Sequence, residues 1–184
     1  TQSDVSERLA LSESLGRYLT ENVVAALELP RSDVSAMDGY AVCLHDRDGA
    51  LASQVFTLKG ESRAGEPYCG DPLAPGECVR IFTGAVVPAS TDTVVIQENV
   101  ERETESVRML YDTSPSANIR RRGEEIAADA VIALAGQLIT PNMIPLLASQ
   151  GISHVNVRAK LRVAFFATGD ELKASGETLG EGDI

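Results

Sequence analysis

"VSAMDGYAV", residues 34–42, places a carboxylate and a glycine between two short runs of small and apolar residues. Asp-Gly in that setting is a strong local signal for a tight hairpin turn, because Gly accepts positive φ. The residue-level alternative is a presented acid: a tight turn is also a good way to hold a carboxylate out for chemistry. The two readings are compatible, and the choice between them depends on the rest of the chain.

Working outward, residues 40–117 read as β-type. "QVFTL" (54–58), "ECVRIF" (77–82), "TVVIQE" (93–98) and "VRMLY" (107–111) are short apolar or alternating runs. Between the first two lies "KGESRAGEPYCGDPLAPGE", rich in Gly and Pro and read as turns. Upstream, Leu11, Leu15, Tyr18 and Leu19 recur at helical spacing, which predicts a short amphipathic helix over 12–19. "VVAALELP" (23–30) reads as extended up to Pro30.

After residue 125 the pattern changes. "DAVIALAGQLI" (129–139) reads as a strand and a turn. Thr140 as N-cap, Pro141 as first helical residue and Gly151 as terminator predict a helix, with Met143, Ile144, Leu146 and Leu147 facing inward. "HVNVRAK" (154–160) and "LRVAFFA" (161–167) read as strands. The second is nearly all apolar, as a strand buried on both faces would be, and it runs into "TGDEL". That arrangement predicts the first strand and loop of an α/β sheet, whose ligands sit beyond the carboxyl ends of the strands.

Composition narrows the function. The 184 residues suffice for one large domain or two small ones. A net charge of −11 argues against nucleic acid and anionic lipid as partners. No run approaches the ~20 apolar residues of a membrane helix. "TQSDVSERLA" has no apolar core, so it does not read as a signal peptide. Cys43, Cys69 and Cys78 are odd in number and lack Cys-x-x-Cys spacing, which argues against zinc and a disulfide framework and fits a reducing cytosol. His45 and His154 are the only histidines and read as surface or packing residues, leaving few candidates for a His-dependent triad. With Trp absent and aromatics at 4%, the cores are expected to be aliphatic. The one dense basic cluster is Arg120-Arg121-Arg122, a solvated edge or a local anion site. No P-loop or GxGxxG occurs.

"SAMDGYAV", "RIFTGAVVP", "VVIQE", "NIRRRGEEI", "ASQGI" and "FFATGDEL" stand in the order and spacing of one family. Over residues 8–184 the chain resembles the MoeA-type molybdopterin molybdenumtransferases, to which the gephyrin E domain is related. The resemblance implies an α+β, mainly β fold. A β-rich domain (33–119) would be inserted in an elongated mixed domain (1–32 and 120–160), and 161–184 would open a truncated α/β domain with which 1–19 could pack. It implies that Asp38 lines the active-site cleft, that Thr83 and Glu171 match two further catalytic positions, and that Arg120, Arg121, Arg122 and Glu125 match a substrate-binding segment. Ser32, Val34, Val86 and Glu125 depart from the family's usual residues.

The implied reaction brings molybdate and adenylylated molybdopterin together, inserts the metal into the dithiolene and releases AMP with the help of Mg²⁺. The residue chemistry is compatible: Asp38 and Glu171 are candidates to hold Mg²⁺, Thr83 can hydrogen-bond an oxyanion, and arginine forks suit phosphate. A cytoplasmic homodimer with a cleft shared between subunits is implied, as is the molybdopterin adenylyltransferase as partner. The alternative is a non-catalytic scaffold or dimerisation module of the gephyrin type. The resemblance also implies that this is the N-terminal piece of a longer protein, without insertion activity by itself.

Overall fold

The computed structural model describes residues 5–44 and 53–184. His45 lies outside the described residues. The chain divides into two units, one made of residues 22–133 and the other joining 1–21 to 134–184.

The larger unit is built on a mixed six-stranded sheet. Its strands are β4 (Gly39–Val42), β5 (Val55–Ser62), β6 (Glu77–Ile81), β7 (Thr93–Ile96), β8 (Val100–Arg102) and β9 (Ser106–Met109), in the order β7-β4-β6-β5-β9-β8. Only β5 and β6 run parallel. Side chains alternate between the two faces of each strand: both faces are buried along β4, β6 and β7, whereas β5 and β9 expose every second residue at least in part. Tyr40, Val42, Phe56, Cys78, Val95, Val107 and Met109 form one core. Ala41, Ile81, Ala85, Val87 and Val94 form the other. All four β-type runs expected between residues 40 and 117 therefore become strands of one sheet. Burial pushes the Cys78 thiol up to about 12, so it is a packing group.

Two short pairs complete the larger unit. β3 (Val34–Ser35) pairs antiparallel with β10 (Ile119–Arg120), and β2 (Val23–Val24) with β11 (Val131–Ala133). "VVAALELP" is thus strand only at its start, with an isolated bridge from Leu29 to Ile126.

Asp38-Gly39 is not the turn of a hairpin. β3 and β4 belong to different sheets, and the chain bends from one into the other. Gly39 does not adopt positive φ. A Cβ there would come 2.1 Å from the carbonyl oxygen of Val95, so glycine is required by the close approach of β7.

The smaller unit pairs β1 (Ser6–Ala10) with β12 (His154–Arg158), antiparallel, beside α1 (Met143–Ser149). Leu11, Leu19, Ile139, Met143, Leu147, Val155 and Val157 are buried. α1 starts two residues later than expected: Asn142 precedes it, no side chain caps it, and the Thr140 carbonyl accepts the Met143 N–H at 3.0 Å. Met143 and Leu147 are buried while Ile144 and Leu146 are half-buried. Gly151 closes the helix as expected, at φ +75°.

Two expectations fail here. The helix over 12–19 is replaced by a 3-10 turn, Leu11–Glu13, followed by Gly16 at φ +75°. Residues 18 and 19 instead bridge Leu138 and Val157. Long-range backbone bonds, such as Leu19 N–H to the Gln137 carbonyl at 3.0 Å, outweigh a weak local periodicity. "LRVAFFA" forms no strand, and Val163, Phe165 and Phe166 are 80%, 93% and 88% exposed. An extended run becomes a strand only when neighbours take its N–H and C=O groups, and none of the described residues does so here.

Candidate functional site

Asp38 sits where the chain crosses from β3 into β4. Thr83 sits in the turn that follows β6. The larger unit brings them together: Asp38 Oδ1 accepts the Thr83 backbone N–H and the Thr83 hydroxyl, each at 2.8 Å. Backbone bonds fix the turn carrying Thr83. Gly84 N–H donates to the Ser35 carbonyl at 2.8 Å, and Ser35 N–H donates to the Ala85 carbonyl at 2.9 Å. Gly84 adopts φ +79°, which suits glycine. The two Thr83 hydrogen bonds, main chain first, hold the Asp38 carboxyl below its ordinary range, with a smaller contribution from the Arg80 charge. Asp38 is half-buried and Thr83 exposed, so the pair faces solvent as an ionised carboxylate beside a hydroxyl. Asp38 Oδ2 has no protein partner among the described residues.

The "NIRRRGEEI" segment joins the same structure through β10, whose Arg120 pairs with Val34 and Ile119 with Ser35. Val34 also bridges Val86. The segments carrying Asp38, Thr83 and Arg120 are therefore stitched to one another through β3.

Each arginine of the triplet has an acid partner. Arg120 Nη2 lies 2.7 Å from Glu125 Oε1, and Arg121 Nη1 lies 2.6 Å from Asp33 Oδ2. Arg122 pairs with Glu28. Asp33 also accepts the Arg122 backbone N–H at 2.9 Å, and that bond, with the Arg121 guanidinium, holds its carboxyl below the ordinary value of 3.8. Beside the triplet a shallow depression of about 340 Å³ is lined by Ala26, Leu27, Glu28, Arg31, Arg122 and Ala128. Arg31 has no hydrogen-bond or ion-pair partner among the described residues.

Glu171 belongs to the smaller unit, on an exposed turn closed by Leu172 N–H to the Gly169 carbonyl at 3.2 Å. Its carboxylate folds back over Gly169, where a Cβ would come 2.4 Å from Oε1.

Sequence reasoning passed over Asp33, Glu28, Arg80 and Gln97. Arg80 carried a visible signal, a lone charge inside the apolar run "CVRIF". Asp33 and Glu28 carried none, since their arginines lie 88 to 94 positions away.

The fold that carries the Asp38–Thr83 pair is shared by known solved structures. A molybdopterin biosynthesis MoeA protein from Pyrococcus horikoshii OT3 superposes with a TM-score of 0.88 at 29% identity, over all of this chain and 49% of that one. A second MoeA structure from the same organism gives 0.84 at 28%, over all of this chain and 47% of that one. Residues 2–151 match the family model of the MoeA N-terminal region (domain I and II). The chain belongs to the MoeA family. A molybdopterin molybdenumtransferase from Haemophilus influenzae is 38% identical over 97% of this chain and 44% of its own length. Molybdopterin molybdenumtransferase 2 from Mycobacterium tuberculosis is 35% identical over 95% and 43%. The chain thus spans less than half the length of these curated relatives. Among the described residues no helix is long and apolar enough to cross a membrane.

Proposed function

We propose that this chain supplies part of a molybdopterin molybdenumtransferase, which in molybdenum cofactor biosynthesis inserts molybdenum from molybdate into adenylylated molybdopterin and releases AMP. The names of its relatives support the reading. The observation that carries it is the Asp38–Thr83 pair, an ionised carboxylate with one oxygen fixed and the other open.

Among the described residues no three His, Cys, Asp or Glu side chains converge as a metal cage. Mg²⁺ does not need one, because it keeps several waters and takes one or two carboxylates plus substrate phosphate. Asp38 Oδ2 fits such a single contact, and Glu171 is the second candidate. The bound cation would screen the charge of a phosphoanhydride. Thr83 holds Asp38 Oδ1, so the open oxygen points the same way in each turnover instead of rotating. In a productive complex the Thr83 hydroxyl can turn from Asp38 to a substrate oxyanion.

Arg120, Arg121 and Arg122 would take the substrate phosphate, with Glu125 holding Arg120 in place until substrate arrives. The arginine side chains are half exposed, at 46 to 65%. Exposed ion pairs contribute only ~0–1 kcal/mol, so a substrate phosphate can displace the carboxylates at little cost. A cytoplasmic homodimer, in which a second subunit completes the cleft, and an adenylyltransferase as supplier of the substrate belong to the same proposal.

The test uses the full-length protein. AMP release from adenylylated molybdopterin should depend on molybdate, and Asp38→Asn should lower turnover by about 100-fold, the scale of losing a preorganised charge. Normal AMP release by Asp38→Asn would remove the residue from the mechanism. No molybdate-dependent release by the wild type would favour the scaffold alternative.

A further inference from the structure

Arg80 lies on the central strand β6 and is only 9% exposed. Among the described residues no carboxylate lies within ion-pair distance of it. Burying a cation without a counter-ion is costly, so the groups that receive it matter. They are two aromatic faces and two neutral acceptors. The guanidinium stacks 5.1 Å from the Tyr40 ring centre and 4.7 Å from that of Phe82. Its Nη1 donates to the Gly39 carbonyl at 3.0 Å and its Nη2 to Gln97 Oε1 at 2.6 Å.

Three of these partners adjoin Asp38 or Thr83. Gly39 follows Asp38 and Phe82 precedes Thr83. The backbone N–H of Gln97 donates to the Asp38 carbonyl at 3.0 Å. Arg80 therefore holds the carbonyl on the C-terminal side of Asp38 directly, and the carbonyl of Asp38 itself through Gln97. Its guanidinium lies over the Phe82 ring, whose chain neighbour is Thr83. The Arg63 guanidinium also lies over the Phe82 ring, at 5.4 Å. A buried arginine joining three segments is worth more as a geometric clamp than as a source of stability, since an apolar residue would fill the space without the desolvation cost.

We propose that Arg80 is a positioning residue that keeps the Asp38 carboxylate in register with the Thr83 amide and hydroxyl. The proposal rests on the functional reading of the Asp38–Thr83 pair only for its bearing on catalysis; the geometric claim is independent of it. The positive guanidinium also favours the ionised form of Asp38, adding to the two hydrogen bonds from Thr83.

The test measures amide hydrogen exchange by NMR in the full chain, wild type against Arg80→Met and Arg80→Lys. The Thr83 N–H, which donates to Asp38, and the Gln97 N–H report on the clamp. The Met109 N–H, bonded to the Gln54 carbonyl at 2.9 Å on the far side of the sheet, reports on the core. Arg80→Met is expected to speed exchange at Thr83 and Gln97 by about tenfold, the loss of roughly one hydrogen bond's worth of local order, with Met109 unchanged. Arg80→Lys keeps the charge but reaches one acceptor, so it should fall between the two. Should Arg80→Met not fold, Arg80→Lys together with Gln97→Ala carries the same readout. Unchanged Thr83 exchange, or acceleration of Met109 by the same factor, overturns the proposal. If Thr83 responds as expected while Asp38→Asn remains fully active, the clamp stands and the proposed function of the pair is what fails.

Discussion

Asp38 and Glu171 make an instructive pair. Both are carboxylates at the end of a short apolar run. Around Asp38 every run has hydrogen-bonded neighbours: β4 lies between β6 and β7, and β3 is paired to β10. The carboxylate is consequently held to 2.8 Å by two donors. Around Glu171 the run "LRVAFF" has no strand partner, and the carboxylate rests on its own turn. A loop acquires a defined geometry from the ladder on either side of it, not from its own residues.

The largest expected effect tests that contrast through packing. Phe56, fully buried in the sheet, should lose about 3–5 kcal/mol on change to Ala, the usual cost for a core aromatic. Phe166, 88% exposed, should change by no more than ~0.5 kcal/mol in the same chain. Urea unfolding of both variants in residues 1–184 measures the difference. Equal losses would show that the 161–172 run is packed after all.

A middle-sized effect concerns the triplet. Replacing Arg120, Arg121 and Arg122 with Gln in the full-length protein should raise the KM for adenylylated molybdopterin by about tenfold, the order of one charge-assisted phosphate contact. The effect should be greater at low salt, where such attraction is least screened. KM values unchanged across a salt series would leave the arginines as structural partners of Glu28, Asp33 and Glu125.

The smallest effect is on acid stability. Asp33 has its pKa lowered, first by the Arg122 N–H and then by Arg121. A carboxylate lowered in the folded state stabilises above its unfolded value and loses that contribution as pH falls through the folded one. The window therefore lies below the ordinary 3.8. Asp33→Asn should flatten the decline of stability across that window, measured by urea midpoints at successive pH values. An unaltered decline would mean that Asp33 is not held by the triplet's main chain.

The sequence by itself determined the sheet-forming runs, since period-two alternation with turn residues at each end leaves few other choices, and the Gly151 helix stop, since a helix-ending positive φ favours glycine. It also marked Asp38, Thr83 and the arginine triplet as residues worth following. Tertiary structure decided the rest. Residues 12–19 carried a helical period but became a turn and two bridges, because the Ile139 and Gln137 carbonyls offered backbone partners to Gly16 and Leu19. Gly39 looked like a turn glycine and proved to be a contact glycine, because β7 passes 2.1 Å from where a Cβ would stand. "LRVAFFA" looked like a core strand and is exposed, because apolarity makes burial favourable without supplying a partner. The acid partners of Arg121 and Arg122 and the links from Arg80 to Gly39 and Gln97 were invisible for a single reason. Each joins residues many positions apart, and a one-dimensional pattern holds no record of which distant groups the sheet will bring to hydrogen-bonding distance.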